Sequence, residues 1–418
     1  MTRFSTLNHP ILEMIGWFPE NPAERVNDHI LMSRGTSNAY VVTSDAGDVV
    51  INTGMPVEGA RHRERFETLL GRPLRVARIL YTQSHADHIG GWEVFADEGV
   101  ETIVQREFSR TLRERNLLAP FFFPRIVRVL SAMLNPGNTT AAAQVPREPE
   151  RLTTFADRLE FTQSGRRFEL LSTPSGETLD SVSIWLPDEK TLFTGNLMGA
   201  IYGAMPNFYT ARGDRQRSVP GFMADVARLI ALEPELLVTG HEAPIVGAAR
   251  IRADLTKLLD AVTYVHDETV KGMNAQRRLS DLMREIALPE HLTMKPGRGP
   301  ISWYVRSVWE EYAGWFHHES TTELFAVPPG TIWPELAEAA GGASALAARA
   351  KTHVGAGRPL EALHFLEIAL AAEPDNRDAL QAKRDALEQL ADRNGGLIFD
   401  ELGWLEGQIK STNEAIRI

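Results

Sequence analysis

The chain has 418 residues, 43% of them hydrophobic and 24% charged, the make-up of an ordinary globular protein. At about 150 residues per domain, that length predicts two or three domains. Its 44 Lys and Arg against 55 Asp and Glu give a formal charge of −11 with no long basic run, which argues against nucleic acid or an anionic membrane as partner; the absence of cysteine excludes disulfides and thiolate chemistry.

The first ten residues lack a charged start followed by an apolar run, so no signal peptide is expected, and no stretch approaches about 18 uninterrupted apolar residues. The cytoplasm is the expected location. Residues 38–54 predict a hairpin, two β-branched segments around an Asp-Ala-Gly-Asp turn. A helix is predicted over 60–70 and a buried strand over 78–81. The alternation continues with apolar strands predicted at 168–171, 182–186, 191–194 and 236–238, most of them closed by a polar turn. Residues 108–134 break the rhythm with an apolar, proline-bearing run that either lines a substrate pocket, as wall or lid, or is buried against a neighbouring subunit. Past about residue 250 the strand signal ends. Residues 249–272 and 302–316 predict helices, and 344–391 a helix pair of tetratricopeptide type, which cannot bury its own apolar face alone.

The chemistry is expected in the loop after the strand at 78–81. His85, Asp87 and His88 lie within four residues there, so a tight turn can aim three donors at one point. Imidazole and carboxylate hold a zinc-like divalent ion when no thiolate is present. Gln83 stands where such a pattern would place one more imidazole, and its neutral amide oxygen is a weak ligand. Three further donors close later strands: Glu177, Asn196 in Leu-Phe-Thr-Gly-Asn, and His241 in Thr-Gly-His. Each alone reads as a polar turn residue.

Taken in order, these residues resemble the metallo-β-lactamase superfamily, whose loop carries His, His, Asp and His at the positions of Gln83, His85, Asp87 and His88. The closer resemblance is to its alkylsulfatase branch, over roughly residues 30 to 410. There a glutamate matches Glu177, and a bridging acid 19 residues later falls on Asn196. The segment Asn207-Phe208-Tyr209-Thr210-Ala211-Arg212-Gly213 is similar to that branch's substrate segment, implying Asn207, Tyr209 and Arg212 as substrate-binding residues. Residues 264–267 and 312–316 resemble its helical dimerisation region, implying a homodimer. The branch's sterol-carrier-like domain has no counterpart before Ile418.

The resemblance implies an α/β fold, a metallo-β-lactamase αββα sandwich over 1–250, followed by an all-α, tetratricopeptide-like dimerisation domain over 251–418. It also implies two ion sites: Gln83, His85 and Glu177 at the first, Asp87, His88 and His241 at the second, with Asn196 where the bridging acid would be. The first site is expected to be weakened. Zinc is the expected metal, with manganese the alternative for an oxygen-rich site, and one or two ions bound. Asn52 replaces an acid beside the centre, and Trp303 falls where a proton-donating histidine would stand, with His317 and His318 as possible substitutes. The expected reaction is hydrolysis by a metal-bound hydroxide oriented by Asp87, cleaving a sulfate ester or related S–O or S–N bond of a small anionic substrate. The alternatives are a lactone, amide or carboxylic ester hydrolase, and a non-catalytic metal-binding scaffold.

Overall fold

The structure is a computed structural model and describes residues 5–15, 18, 20–130 and 146–417. Seven strands form one sheet in chain order: β1 (Glu24–Arg25), β2 (Ile30–Ser33), β3 (Ala39–Val42), β4 (Asp48–Ile51), β5 (Val76–Leu80), β6 (Glu101–Gln105) and β7 (Leu152–Phe155). Pairing is antiparallel from β1 to β4 and parallel from β4 to β7. The second sheet holds β8 (Arg158–Gln163), β9 (Arg166–Ser172), β10 (Val182–Leu186), β11 (Thr191–Gly195), β12 (Leu236–Thr239) and β13 (Ile245–Val246). It is antiparallel except where β11 runs parallel to β12. The hairpin expected at 38–54 is β3 and β4, and each later predicted strand is found.

Strand side chains alternate between faces, and the sequence fills both. Ile30, Met32, Tyr40, Val42, Val49, Ile51 and Leu80 point between the sheets, where they meet Phe168, Leu170, Ile184, Phe193 and Val238. The alternate residues Leu31, Val41, Val50 and Ile79 face outward and are covered by Phe66, Ile89, Phe95, Phe108 and Leu112. Helix Ala248–Asn274 packs on β12 and β13 from the other side. This is the αββα sandwich.

Residues 108–130 form one helix, Phe108–Leu130, with Pro120 and Pro124 inside it; the rest of the run expected to line a pocket, 131–134, lies outside the described residues. Each proline removes a backbone donor, so the helical ladder lacks two bonds there. The expected helix pair at 344–391 is instead three helices, Ala343–Gly355, Pro359–Ala372 and Arg377–Asn394, and the first was missed because its apolar face is mostly alanine. By contact, residues 10–127 and 146–308 form one compact unit and residues 5–9, 128–130 and 309–417 a second. Ala337, Ala347, Ala350, Ala362, Leu366 and Ala382 build the core of the second. Among the described residues, no helix is long and apolar enough to cross a membrane.

Candidate metal centre

The seven candidate ligands, Gln83, His85, Asp87, His88, Glu177, Asn196 and His241, come from the carboxyl ends of β5, β9, β11 and β12. After β5 the chain turns at Tyr81 and Thr82 and enters the one-turn helix Ala86–Ile89, with His85 as its N-cap residue. The His85 carbonyl accepts from His88 N at 2.9 Å and Ile89 N at 3.1 Å, which fixes the loop around the donors. All of these side chains are buried or partly buried.

They form two halves. In one, Gln83 Nε2 lies 2.9 Å from His85 Nδ1 and 3.2 Å from Glu177 Oε2, and His85 Nδ1 lies 3.3 Å from the same Glu177 oxygen. In the other, the possible ligand atoms of Asp87, His88 and His241 all lie within 4.8 Å of one another. Asn196 joins the halves: its Nδ2 donates to Glu177 Oε2 at 2.9 Å and lies 3.0 Å from His241 Nε2.

Burial sets the protonation. It pushes the His88 imidazole down to about 4, so the ring is neutral near pH 7, the form that can ligate a metal. Burial would raise the Glu177 carboxyl, but His85, Arg212 and the Asn196 amide outweigh it and hold the group well below the usual carboxylate range. Asp87 is likewise pushed up by burial and brought below its ordinary value by His88, His241 and His85. The His241 ring is oriented by Nδ1, which donates to the Thr36 carbonyl at 2.7 Å and leaves the Nε2 lone pair facing the centre. Thr36 is itself held by Glu58, which accepts from its backbone N at 2.8 Å and its hydroxyl at 3.0 Å.

These residues fit a divalent ion. The donors are imidazole nitrogens and carboxylate oxygens, and three buried polar atoms have no hydrogen-bond partner: His85 Nε2, His88 Nε2 and Asn196 Oδ1. Ligation through His88 Nε2 requires its proton on Nδ1, and Thr82 Oγ1 at 3.2 Å is the acceptor available for it. Asn52 does not help, because its Oδ1 is taken by Thr82 N at 3.1 Å and its Nδ2 faces His88 Nδ1 at 3.1 Å.

A cavity of about 440 Å³ lies beside the first half. Leu112, Ala119, Phe122 and Ile126 of helix Phe108–Leu130 give it an apolar wall, and Arg115, Arg212 and Asp214 a charged one. Of the expected substrate segment, Arg212 reaches this wall. Tyr209 is 45% exposed, and the Asn207 carbonyl accepts from Arg217 Nη1 at 3.3 Å. Trp303 packs over Gly299, and the His317 backbone N donates to Glu323 at 3.0 Å.

Three contributors were not found in the sequence. Asp214 lies 3.9 Å from His85 Nε2, 3.4 Å from Arg115 and 3.5 Å from Arg212, and its place next to Arg212 and Gly213 was the only available signal. Arg115 comes from a helix read only for its apolar residues. Arg217 is buried and donates to the carbonyls of Ser175 at 2.8 Å and Leu197 at 2.7 Å, tying together the loops that carry Glu177, Asn196 and Asn207. Burial pushes its guanidinium down to about 10.

The pattern of the metallo-beta-lactamase superfamily matches residues 32–241, half of the chain and the whole span from β2 to His241. The chain belongs to the metallo-beta-lactamase superfamily. A second pattern, alkyl sulfatase dimerisation, matches residues 278–398 and assigns it to the alkylsulfatase-like branch of that superfamily. Curated relatives agree: a linear primary-alkylsulfatase of Pseudomonas sp. is 26% identical over 69% of this chain and 58% of its own length. The alkyl/aryl-sulfatase of Saccharomyces cerevisiae is 25% identical over 88% of this chain and 60% of its own. The chain thus spans about three-fifths of the length of these relatives. The solved stereoselective inverting sec-alkylsulfatase of Pseudomonas sp. shares the fold, with a TM-score of 0.80 and 23% identity over 94% of this chain and 65% of that one.

Proposed function

We propose that this superfamily member is a metal-dependent hydrolase of sulfatase type, which cleaves a sulfate ester or related S–O or S–N bond of a small anionic substrate with an apolar tail. The observation that carries the reading is that Arg115 and Arg212 line a largely apolar cavity whose Asp214 lies 3.9 Å from His85 Nε2. A divalent ion held by Asp87, His88 and His241, zinc in the first instance and manganese otherwise, supplies a water acidic enough to act as nucleophile near neutral pH. Asp87, ionised among three imidazoles, would hold the ion through one carboxylate oxygen and could orient a water on it through the other. Arg212 and Arg115 bind the anionic oxygens, which an acidic protein can attract only through such a local positive group. Leu112, Phe122 and Ile126 exclude water and receive the tail.

A second reading, hydrolysis of a lactone, amide or carboxylic ester, is favoured by Asp214, which cancels one of the two guanidinium charges. A homodimer, a cytoplasmic location and a functional division near residue 250 are the accompanying proposals, the first supported by the match over 278–398. The test is to strip the protein with a chelator, restore zinc and manganese separately, and assay decyl sulfate for inorganic sulfate and a lactone panel for titratable acid. Sulfate release restored by metal supports the first reading. Acid without sulfate moves the assignment to the second, and fewer than about one ion per chain with no turnover on either substrate leaves a binding scaffold.

A further inference from the structure

We propose that the amide NH2 groups of Gln83 and Asn196 stand in the place of a first metal ion, so that this chain holds a single ion, at Asp87, His88 and His241. This inference rests on the metal-dependent reading above. A first ion would draw on the Glu177 carboxylate above all, and the oxygen that faces this half is already taken. Gln83 Nε2 faces His85 Nδ1 at 2.9 Å and Glu177 Oε2 at 3.2 Å, while Asn196 Nδ2 reaches the same Glu177 oxygen at 2.9 Å. Two NH2 groups converge on one carboxylate oxygen, as a cation would.

The direction of both amides follows from their neighbours. An ionised carboxylate can only accept, so turning either amide over would set its oxygen against a Glu177 oxygen at about the same separation. For Asn196 the other side also agrees. His241 Nε2, whose ring donates through Nδ1 to Thr36, is an acceptor facing Asn196 Nδ2 at 3.0 Å. Asn196 Oδ1 lies against Gly240, where an added Cβ would come within 2.1 Å of it.

An ion entering this half must break the two amide hydrogen bonds that converge on the charged Glu177. It would also gain only one carboxylate, because Asn196 and Gln83 are neutral. In the other half Asp87 brings a full charge, while an imidazole nitrogen without a hydrogen-bond partner stands in each half, His88 Nε2 here and His85 Nε2 in the first. In the Asp87 half His241 Nε2 must give up an Asn196 hydrogen and His88 Nδ1 an Asn52 hydrogen, but neither bond is to a charged group, and Asn196 keeps its bond to Glu177.

The test is a count of ions on the full chain, stripped by chelator and dialysed against Zn2+ alone, with Co2+ absorption as a second readout of ligand number. The expected result is one ion per chain for the wild type and two for the Gln83→His/Asn196→Asp variant, with Gln83→His alone giving a second ion at least about tenfold tighter than the wild type's. Two ions of similar affinity on the wild type would overturn the proposal while leaving the metal-dependent reading intact. No ion at all would remove both. The wild-type count decides the matter even where the double variant fails to fold.

Discussion

Arg115 and Asp214, 99 residues apart in the chain, meet at 3.4 Å, and the same Asp214 oxygen lies 3.5 Å from Arg212 and 3.9 Å from His85 Nε2. One carboxylate thus holds two guanidinium groups in a shared position beside the metal centre. Burial would raise its own pKa, but Arg115, Arg212 and His85 together hold it below the ordinary value, so it stays charged near neutral pH. The cluster carries one net positive charge, which suits a monoanion.

Replacing Arg115 by alanine is expected to raise KM for decyl sulfate by about tenfold or more with little change in kcat, the loss of one charge-assisted hydrogen bond. Asp214→Asn should act in the opposite sense on KM, because it removes a carboxylate that competes with the anion for the two arginines. A neutral carboxylic ester with the same tail should be indifferent to both changes. Unchanged KM for decyl sulfate in both variants would remove the arginines from substrate recognition.

Acid should weaken the fold through two buried imidazoles. Burial pushes His62 down to about 3 and His88 down to about 4, from 6.5. The unfolded chain therefore binds protons that the folded chain does not between about pH 6.5 and these values. Stability is complete above pH 6.5 and falls as the pH drops through that window, by up to about 1.4 kcal/mol per pH unit for each group. Urea midpoints of metal-free protein at pH 7 and pH 5 measure this, and His62→Gln should make the slope shallower. Equal midpoints at the two values would show that neither ring stays neutral in the fold.

The sheets and the centre were legible because their signals are local. The apolar runs of β3, β4, β9 and β10 are each written within a few residues, and a tight loop carries His85, Asp87 and His88 together. Glu177, Asn196 and His241 close strands, so the topology that pairs β10 with β9 and β11, and β11 with β12, brings them to the same edge. Arg115, Asp214 and Arg217 were not legible, since each acts through a contact across tens of residues that no periodicity records. The direction in which an amide turns is set in the same way. Gln83 reads in sequence as a poor ligand; its role as a donor to Glu177 exists only once that side chain stands beside it.

Arg217 illustrates how much the centre depends on such contacts. Its guanidinium bonds the carbonyls of Ser175, Leu197 and Asn207, so Arg217→Leu leaves three acceptors without a donor in a buried place. The expected cost is about 3 kcal/mol or more in chemical denaturation. Lysine should recover little of it, because one ammonium on a flexible stem cannot reproduce the planar fork that reaches three loops. A variant as stable as the wild type would show that these loops are held by other bonds.

Asn52 sets the strength of the remaining ion site. It follows β4 with a φ of 58°, a backbone position that asparagine and aspartate tolerate better than most residues, so Asn52→Asp should fold without strain. In the wild type the Thr82 backbone N–H holds the amide oxygen, and the amide NH2 is thereby directed at His88 Nδ1, where it favours the tautomer with its proton on Nε2. A carboxylate keeps the bond from Thr82 with one oxygen and accepts from His88 Nδ1–H with the other, which leaves the Nε2 lone pair free for the ion. Asn52→Asp should therefore tighten Zn2+ binding by about 10- to 100-fold, read by competition with a chromophoric chelator. The nitrogen-15 shifts of the His88 ring in metal-free protein report the cause separately, with the proton moving from Nε2 to Nδ1. An affinity that rises without that change would mean that added negative charge alone is responsible, and unchanged affinity with Nδ1 already protonated in the wild type would show that Thr82 suffices to orient the ring.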